Sequence, residues 1–417
     1  MKVCIISDFA KTGGASIAAD RIAYSFFENG SEVHRISSDG SVTSPFKEYV
    51  LDVSRKFKLL SLFSSNSIIS SFLPKLRRKD LHAQLDKILS AIKPDWINLH
   101  NFHGTDWPME LAELSLSHSP TSWTLHDCST FLGSYYPSHC DKPSTEKDKE
   151  LEQFWVRLKK NKSSEFFSFI APSKWMKQSA KQSYWSKFNS SVVPYPIFKE
   201  YSPHIAPQAC KQVLGIDPKK TVILSSAGNL NEPRKGSQIL QEIIFDKKFK
   251  ESHFILMGEF KAENKLPENV QTLGFIKDDE LKRIAYCAAD LTLHPAPIDN
   301  LPNTVIESIA CHTPVLGFST GGLPDMVIPK KTGWLVDEIS TTALSQKLEE
   351  LTKLRTFESN DFTFSSARDE MFNSKKISNQ YLGHYYALTK KFDENLSHRL
   401  FRSNWFGSVH ILLQQGT

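Results

Sequence analysis

Two runs of alternating strand and helix patterns, one on each side of a proline-rich stretch, limit what this chain can fold into. In the first half the apolar segments VCIIS, EVHRIS, WINLH, TSWTLH and FSFIAPS read as strands. Helical patterns at 15–28, 80–92, 107–116 and 174–182 separate some of them. The second half repeats the logic with TVILSSA, HFILMGE, VQTLGF, DLTLHPA, PVLGFS and GWLV, and with helices expected at 236–245, 278–288, 303–311 and 341–354. Strands joined through helices run parallel, and such sheets are covered on both faces. The fold class is therefore α/β, with two doubly wound sheets. The segment Val192 to Pro207 is rich in proline and lacks periodicity, which marks it as the linker. It divides the chain into a domain at 1–195 and a second at 196–373. A last helical pattern covers Ser374 to Lys390, and residues 391–417 form a tail. Ligands of doubly wound sheets bind at the carboxyl ends of the strands, so the two domains are expected to face a central cleft.

Composition narrows the class. At 417 residues, two domains are the natural expectation. No apolar run reaches the roughly 18 residues of a membrane span. The opening MKVCIISDFA is too short in its apolar run for a signal peptide. Six cysteines without a Cys-x-x-Cys pair indicate neither a disulfide framework nor a zinc site, and a reducing cytoplasm fits. The net charge of +5 lies entirely in residues 1–200. Much of it falls in Lys47 to Lys79, where Arg55, Lys56, Lys58, Lys75, Arg77, Arg78 and Lys79 mix with apolar residues such as Phe57, Leu62, Phe63, Ile68, Phe72 and Leu73. That segment reads either as a surface for an anionic membrane or as a helical insertion with a solvated basic face. The tail, HRLFRSNWFGSVHILLQQ, is also apolar and basic, and suits either packing or a membrane or partner contact. The charge excess is modest and no nucleic-acid motif is present, which argues against nucleic acid as a partner.

Chemistry concentrates in a few loops. From Asp299 to Asp325 the chain reads DNLPNTVIESIACHTPVLGFSTGGLPD. Pro302 and Asn303 suit the opening of a helix, where a missing N–H costs nothing. The free N–H groups of Asn303 and Thr304 would favour a phosphate, while Asp299 and Glu307 are good acceptors for sugar hydroxyls. Thr12-Gly13-Gly14-Ala15 joins the first strand to a helix, and glycines there allow close approach of a phosphate. Arg234 and Lys235 follow the strand at 221–227 and suit a diphosphate, Arg as a fork and Lys as a point charge. His126 and Asp127 end a strand of the first half, where a histidine titrates near neutrality or donates a hydrogen bond. Phe275 and Ile276 close another strand, and Lys174 is a further candidate near the linker.

These segments resemble the retaining glycosyltransferases of family 4, which have the GT-B fold of two Rossmann-like domains. The resemblance rests on an acidic residue, seven residues and then Glu. Asp299 takes the first place, where Glu is commoner, and Glu307 the second. It implies that Gly13 and Gly14 face the donor diphosphate and that Lys235, before Gly236, is a diphosphate ligand. It further implies that His126 lies beside the reacting sugar, that Asp127 orients that imidazole or binds the acceptor, and that Phe275 and Ile276 hold the base through backbone. Many members carry Arg where this chain has Asn229, so Arg234 is expected to substitute. Related loops after His-Asp often carry several cysteines. Here only Cys128 and Cys140 are near, so no metal-bound loop is expected. The implied activity is hexosyl transfer from a nucleotide-diphosphate sugar to a lipid-linked or oligosaccharide acceptor in polysaccharide or lipopolysaccharide biosynthesis, without a metal or other cofactor. The implied place is the cytoplasm, with peripheral contact at the inner membrane. A nucleotide-sugar epimerase or hydrolase and a non-catalytic glycan-binding relative are the alternatives.

Overall fold

The computed structural model describes residues 1–40, 44–53, 67–133, 146–198, 201–203, 205–262, 264–329, 331–354 and 369–395. Much of the apolar–basic segment before residue 67, Cys140 and the tail beyond 395 lie outside the described residues. The chain forms two compact units. The first comprises Met1–Ala171, Ser179–Val193 and the chain from Ser378 onward, and the second comprises Pro172–Gln178 and Pro194–Ile377.

In the first unit the described strands are β1 (Lys2–Ile6), β2 (Glu32–Ser37), β3 (Lys47–Val50), β4 (Trp96–Leu99), β5 (Thr121–Thr124), β6 (Phe167–Ala171) and β7 (Asn189–Val192). They form a parallel sheet in the order β3-β2-β1-β4-β5-β6-β7. β1, β4, β5 and β6 are buried along almost their whole length, and β1 accordingly reads as an apolar run, while β5 buries Thr121, Ser122 and Thr124 as well as Trp123. β3 and β7 are edge strands with mostly polar sequences, and the alternation pattern did not reveal them. The helix expected at 80–92 begins earlier and runs Ser67–Ile92. A helix at Glu146–Lys160 was not expected, although Leu151, Phe154, Trp155 and Leu158 are buried at helical spacing. The terminal helix, Ser374–Asn395, places Tyr381 against Phe26 and Trp96. Its His384 bonds Ser168 at 2.9 Å and Ser191 at 2.8 Å.

In the second unit the described strands are β8 (Val222–Asn229), β9 (His253–Glu259), β10 (Val270–Gly274), β11 (Leu291–His294), β12 (Val315–Phe318) and β13 (Gly333–Val336). Their order is β10-β9-β8-β11-β12-β13, again parallel. Helices at Ser237–Ile244, Asp279–Ala288, Asn303–Ala310 and Thr341–Leu354 match the predicted positions within two residues at each end. Within the stretch read as a linker, several described residues are anchored. Tyr195, Ile197 and Tyr201 are buried, Ile197 bridges Asn373, and the Tyr201 hydroxyl donates to Asp279 at 2.7 Å.

Candidate active site

Both sheets reverse their strand order once, β1 beside β4 and β8 beside β11, and these are the places where doubly wound sheets open a crevice. Most residues singled out from sequence gather at these two reversals, each within its own unit, whereas Phe275 and Ile276 follow the edge strand β10.

At the second reversal, the loop after β8 carries Arg234 and Lys235, and the loop after β11 carries Asp299. Gly236 lets these loops meet, because a Cβ there would fall inside the Pro295 carbonyl. Lys235 Nζ lies 2.5 Å from Asp299 Oδ2, and the carboxylate is almost wholly buried. Asp299 Oδ1 accepts the Asn300 N–H at 2.9 Å. The loop after β12 holds the backbone of Asp299 from behind. Gly322 N–H donates to the Asp299 carbonyl at 2.9 Å, and Cβ atoms at Gly321 or Gly322 would collide with the carbonyls of Asp299 and Asn300. The two adjacent glycines thus fix where the acid sits. An ammonium carries three N–H donors, so the Asp299 contact is compatible with a phosphate contact at the same nitrogen.

Pro302 is the N-cap of the Asn303–Ala310 helix, so the backbone N–H groups of Asn303 and Thr304 belong to its first, unladdered turn. Glu307 sits one turn further, buried, and its Oε2 accepts the Tyr286 hydroxyl at 3.1 Å. Burial first, and then the Glu307 charge, push the Tyr286 phenol well above its usual range, so it remains a donor. Asn229 ends β8 and shapes the loop, its Oδ1 accepting from both the backbone and side-chain nitrogens of Asn231 at 2.9 Å. Arg234 pairs with Glu232 at 2.6 Å and is about one-third exposed. Phe275 is 55% exposed on the loop after β10, at the edge of the sheet, with Ile276 half-buried beside it. Lys174 is engaged with Asp325, through its backbone N–H at 2.6 Å and its Nζ at 3.6 Å, and its side chain is mostly in solvent.

At the first reversal, Gly13 adopts φ 89°, a left-handed value that favours glycine, and caps the Gly14–Glu28 helix after β1. The tips of β1, β4 and β5 share one polar cluster. Asp8 accepts the Phe9 and Gly104 N–H groups, each at 2.9 Å, and burial raises its carboxyl. His126 Nε2 meets His100 Nδ1 at 2.7 Å. Asp127 is held by His103 Nε2 at 3.0 Å, by Asn101 at 3.3 Å and by the Ser129 N–H at 2.9 Å. Burial alone would raise Asp127, but the His103 and Ser129 contacts outweigh it and hold the carboxylate below its usual value. Burial brings His126 down to about 4, with the Asp127 charge opposing.

Sequence reading missed His100, His103, Asp8, His294 and Tyr286. His100 and His103 follow a strand in HNFHG, the same signal that singled out His126. His294 closes β11 with its Nε2 3.8 Å from Asp299, and burial brings it down to about 4. Tyr286 is interior to a helix, and nothing in its local sequence announces its contact with Glu307. Among the described residues no group of three His, Cys, Asp or Glu is arranged to hold a metal ion.

With this geometry in place, comparison with known structures is decisive for the architecture. Sucrose-phosphate synthase from Thermosynechococcus elongatus superposes with a TM-score of 0.71 at 16% identity, over 94% of this chain and 99% of that one. The fold is GT-B. Anabaena HepE, solved in complex with UDP and glucose, shares this GT-B fold at a TM-score of 0.64 and 16% identity, over 92% of this chain and 98% of its own. WaaG, described as a glycosyltransferase involved in lipopolysaccharide biosynthesis, does so at 0.57 and 15% identity, over 94% and 99%. Residues 221–353 match the family described as Glycosyl transferases group 1. That stretch contains the whole Arg234–Lys235, Asp299 and Glu307 arrangement of the second GT-B unit. No curated protein matches the chain in sequence.

Proposed function

We propose that the protein is a retaining family 4 glycosyltransferase that moves a hexosyl group from a nucleotide-diphosphate sugar to a lipid-linked glycan. The observation that carries this reading is the Lys235–Asp299 pair beside the Asn303–Ala310 helix start, inside the stretch matching group 1 glycosyltransferases. Breaking the bond between sugar and phosphate leaves an oxocarbenium-like carbon and a diphosphate. Lys235, Arg234 and the N–H groups of Asn303 and Thr304 meet the growing negative charge. Glu307, steadied by Tyr286, accepts from the ribose hydroxyls, and Asp299 from the sugar hydroxyls. Phe275 and Ile276 border the base, and the Gly13–Gly14 turn approaches the diphosphate. His126 and Asp127 serve the reacting sugar. The leaving phosphate takes the acceptor proton on the same face, so neither carboxylate acts as nucleophile. Side-chain cations supply the positive charge, and this reading uses no divalent metal or other cofactor.

A lipid-linked acceptor in lipopolysaccharide or related polysaccharide assembly, at the cytoplasmic face of the inner membrane, is supported by the likeness to WaaG and by one helix surface. On the Ser67–Ile92 helix, Phe72, Lys75, Leu76 and Lys79 follow helical spacing and are exposed. Arg77 and Arg78 are occupied elsewhere. Arg77 donates to the Thr105 and Asp106 carbonyls, and Arg78 pairs with Glu110 and Glu150. Docking therefore falls to the two lysines and the two apolar residues. Among the described residues no helix is long and apolar enough to cross a membrane.

The test is incubation with UDP-, GDP- and ADP-sugars, with and without a lipid-linked saccharide. Transfer with retained anomeric configuration is the expected result. Isomerised or hydrolysed sugar without acceptor would instead assign an epimerase or hydrolase. Glycan binding without turnover would assign a non-catalytic relative.

A further inference from the structure

His100 and His126 stand at the tips of the neighbouring strands β4 and β5, with His100 Nδ1 2.7 Å from His126 Nε2. Their ring planes differ by 25° and their centroids lie 5.0 Å apart. That separation exceeds the nitrogen contact by about one ring radius at each end. Both nitrogens therefore lie on the line between the rings, and the contact is an in-plane hydrogen bond rather than a face stack. Both residues are buried. Burial lowers His126 to about 4 and His100 well below its usual value, so both rings are neutral at pH 7.

A neutral imidazole has one N–H and one bare nitrogen, so the contact admits two assignments. If His126 Nε2 donated, His100 would carry its own hydrogen on Nε2. Among the described residues that atom is buried without a hydrogen-bond partner, and a donor would be stranded there. If His100 Nδ1 donates, only a bare lone pair is stranded. Buried orphan donors are rarer than under-satisfied acceptors, which decides between the two.

We propose that His100 is a positioning residue whose Nδ1–H fixes His126 as the Nδ1–H tautomer, making His126 a neutral donor through Nδ1. The inference rests on the proposed function only for what that donor serves, a sugar oxygen rather than a proton to be transferred. A donor whose proton stays in place keeps its role across neutral pH, which a general acid would not.

The experiment is nitrogen-resolved NMR on protein labelled with ¹⁵N-histidine at pH 7, with the His126 ring assigned by its loss in His126→Gln. The expected spectrum shows His126 protonated at Nδ1 and bare at Nε2. A ring protonated at Nε2, or at both nitrogens, overturns the proposal. His100→Asn, whose amide N–H stands near the place of Nδ1–H, is expected to keep the pattern, and His100→Leu to lose it. An unchanged Nδ1–H tautomer in His100→Leu would show that something other than His100 sets it. The wild-type spectrum decides even where a variant fails to fold. Failure of sugar transfer would count against the enzymatic reading and leave this spectrum untouched.

Discussion

Replacing Lys235 by Ala tests the centre of the site, and the structure sets the scale of the effect. The ammonium lies 2.5 Å from Asp299, whose side chain is 7% exposed, while Lys235 itself is 20% exposed. At an effective dielectric of about 20, such a contact is worth roughly 6–7 kcal/mol before desolvation and side-chain ordering are subtracted. Removing one partner of a buried pair costs about 3–5 kcal/mol, chiefly because the other charge is left uncompensated. The solvent access of Lys235 places this case at the lower end, about 3 kcal/mol. His294, which burial keeps neutral, cannot replace the lost cation. Removing Asp299 as well takes away the stranded charge, so Lys235→Ala in an Asp299→Ala background should cost markedly less, with a coupling of about 2 kcal/mol. Turnover behaves differently. Loss of one donor to a developing anion costs about a hundredfold or more, and the second substitution cannot restore it. Urea denaturation of the four proteins of the cycle gives the coupling, and initial rates with a nucleotide sugar give the turnover. Near-normal turnover in Lys235→Ala would remove Lys235 from the mechanism, and a coupling near zero would refute the account of the ion pair.

Four further outcomes follow from the same features. His294 is held at about 4 when folded, below its unfolded value of roughly 6.5. Its contribution is therefore complete above pH 6.5 and lost as pH falls toward 4, by about 3 kcal/mol in all. Wild type should lose more stability than His294→Asn between pH 7 and 5, and parallel losses would contradict this. Gly322→Ala drives a Cβ into the Asn300 carbonyl and should cost about 3 kcal/mol, with loss of the thermal shift produced by donor. A normal melting temperature with normal donor response would refute the packing role of that turn. Activity should survive EDTA because Lys235 and Arg234 provide the cations, and inactivation reversed by Mg²⁺ or Mn²⁺ would overturn that expectation. The protein should sediment with anionic but not neutral vesicles at low salt, each exposed lysine contributing on the order of 1 kcal/mol, and Lys75→Glu with Lys79→Glu should release it. Equal partitioning onto both vesicle types would favour a soluble acceptor.

The strands that proved easiest to read were those buried on both faces. VCII, FILM and VLGF lie in strands covered on both faces, so they read as unbroken apolar runs. The Asn303–Ala310 helix was equally legible, because Pro302 fits only at its start and Glu307 then falls one turn inside. The edge strands β3 and β7 were not, since KEYV and NSSV are mostly polar and none of their residues is fully buried, whereas the edge strands β10 and β13 keep apolar residues and were read. The placement of Asp299 and Lys235 was partly visible, as two loops that each suit a donor sugar. Their meeting across the β8–β11 reversal depends on strand order, which local pattern does not contain. The same holds for His100 beside His126, 26 residues apart, and for Tyr286 under Glu307, 21 apart. Residue type and spacing along the chain disclosed which loops could carry chemistry. Only the packed sheet decided which side chains share a hydrogen bond, because that depends on which strands lie side by side.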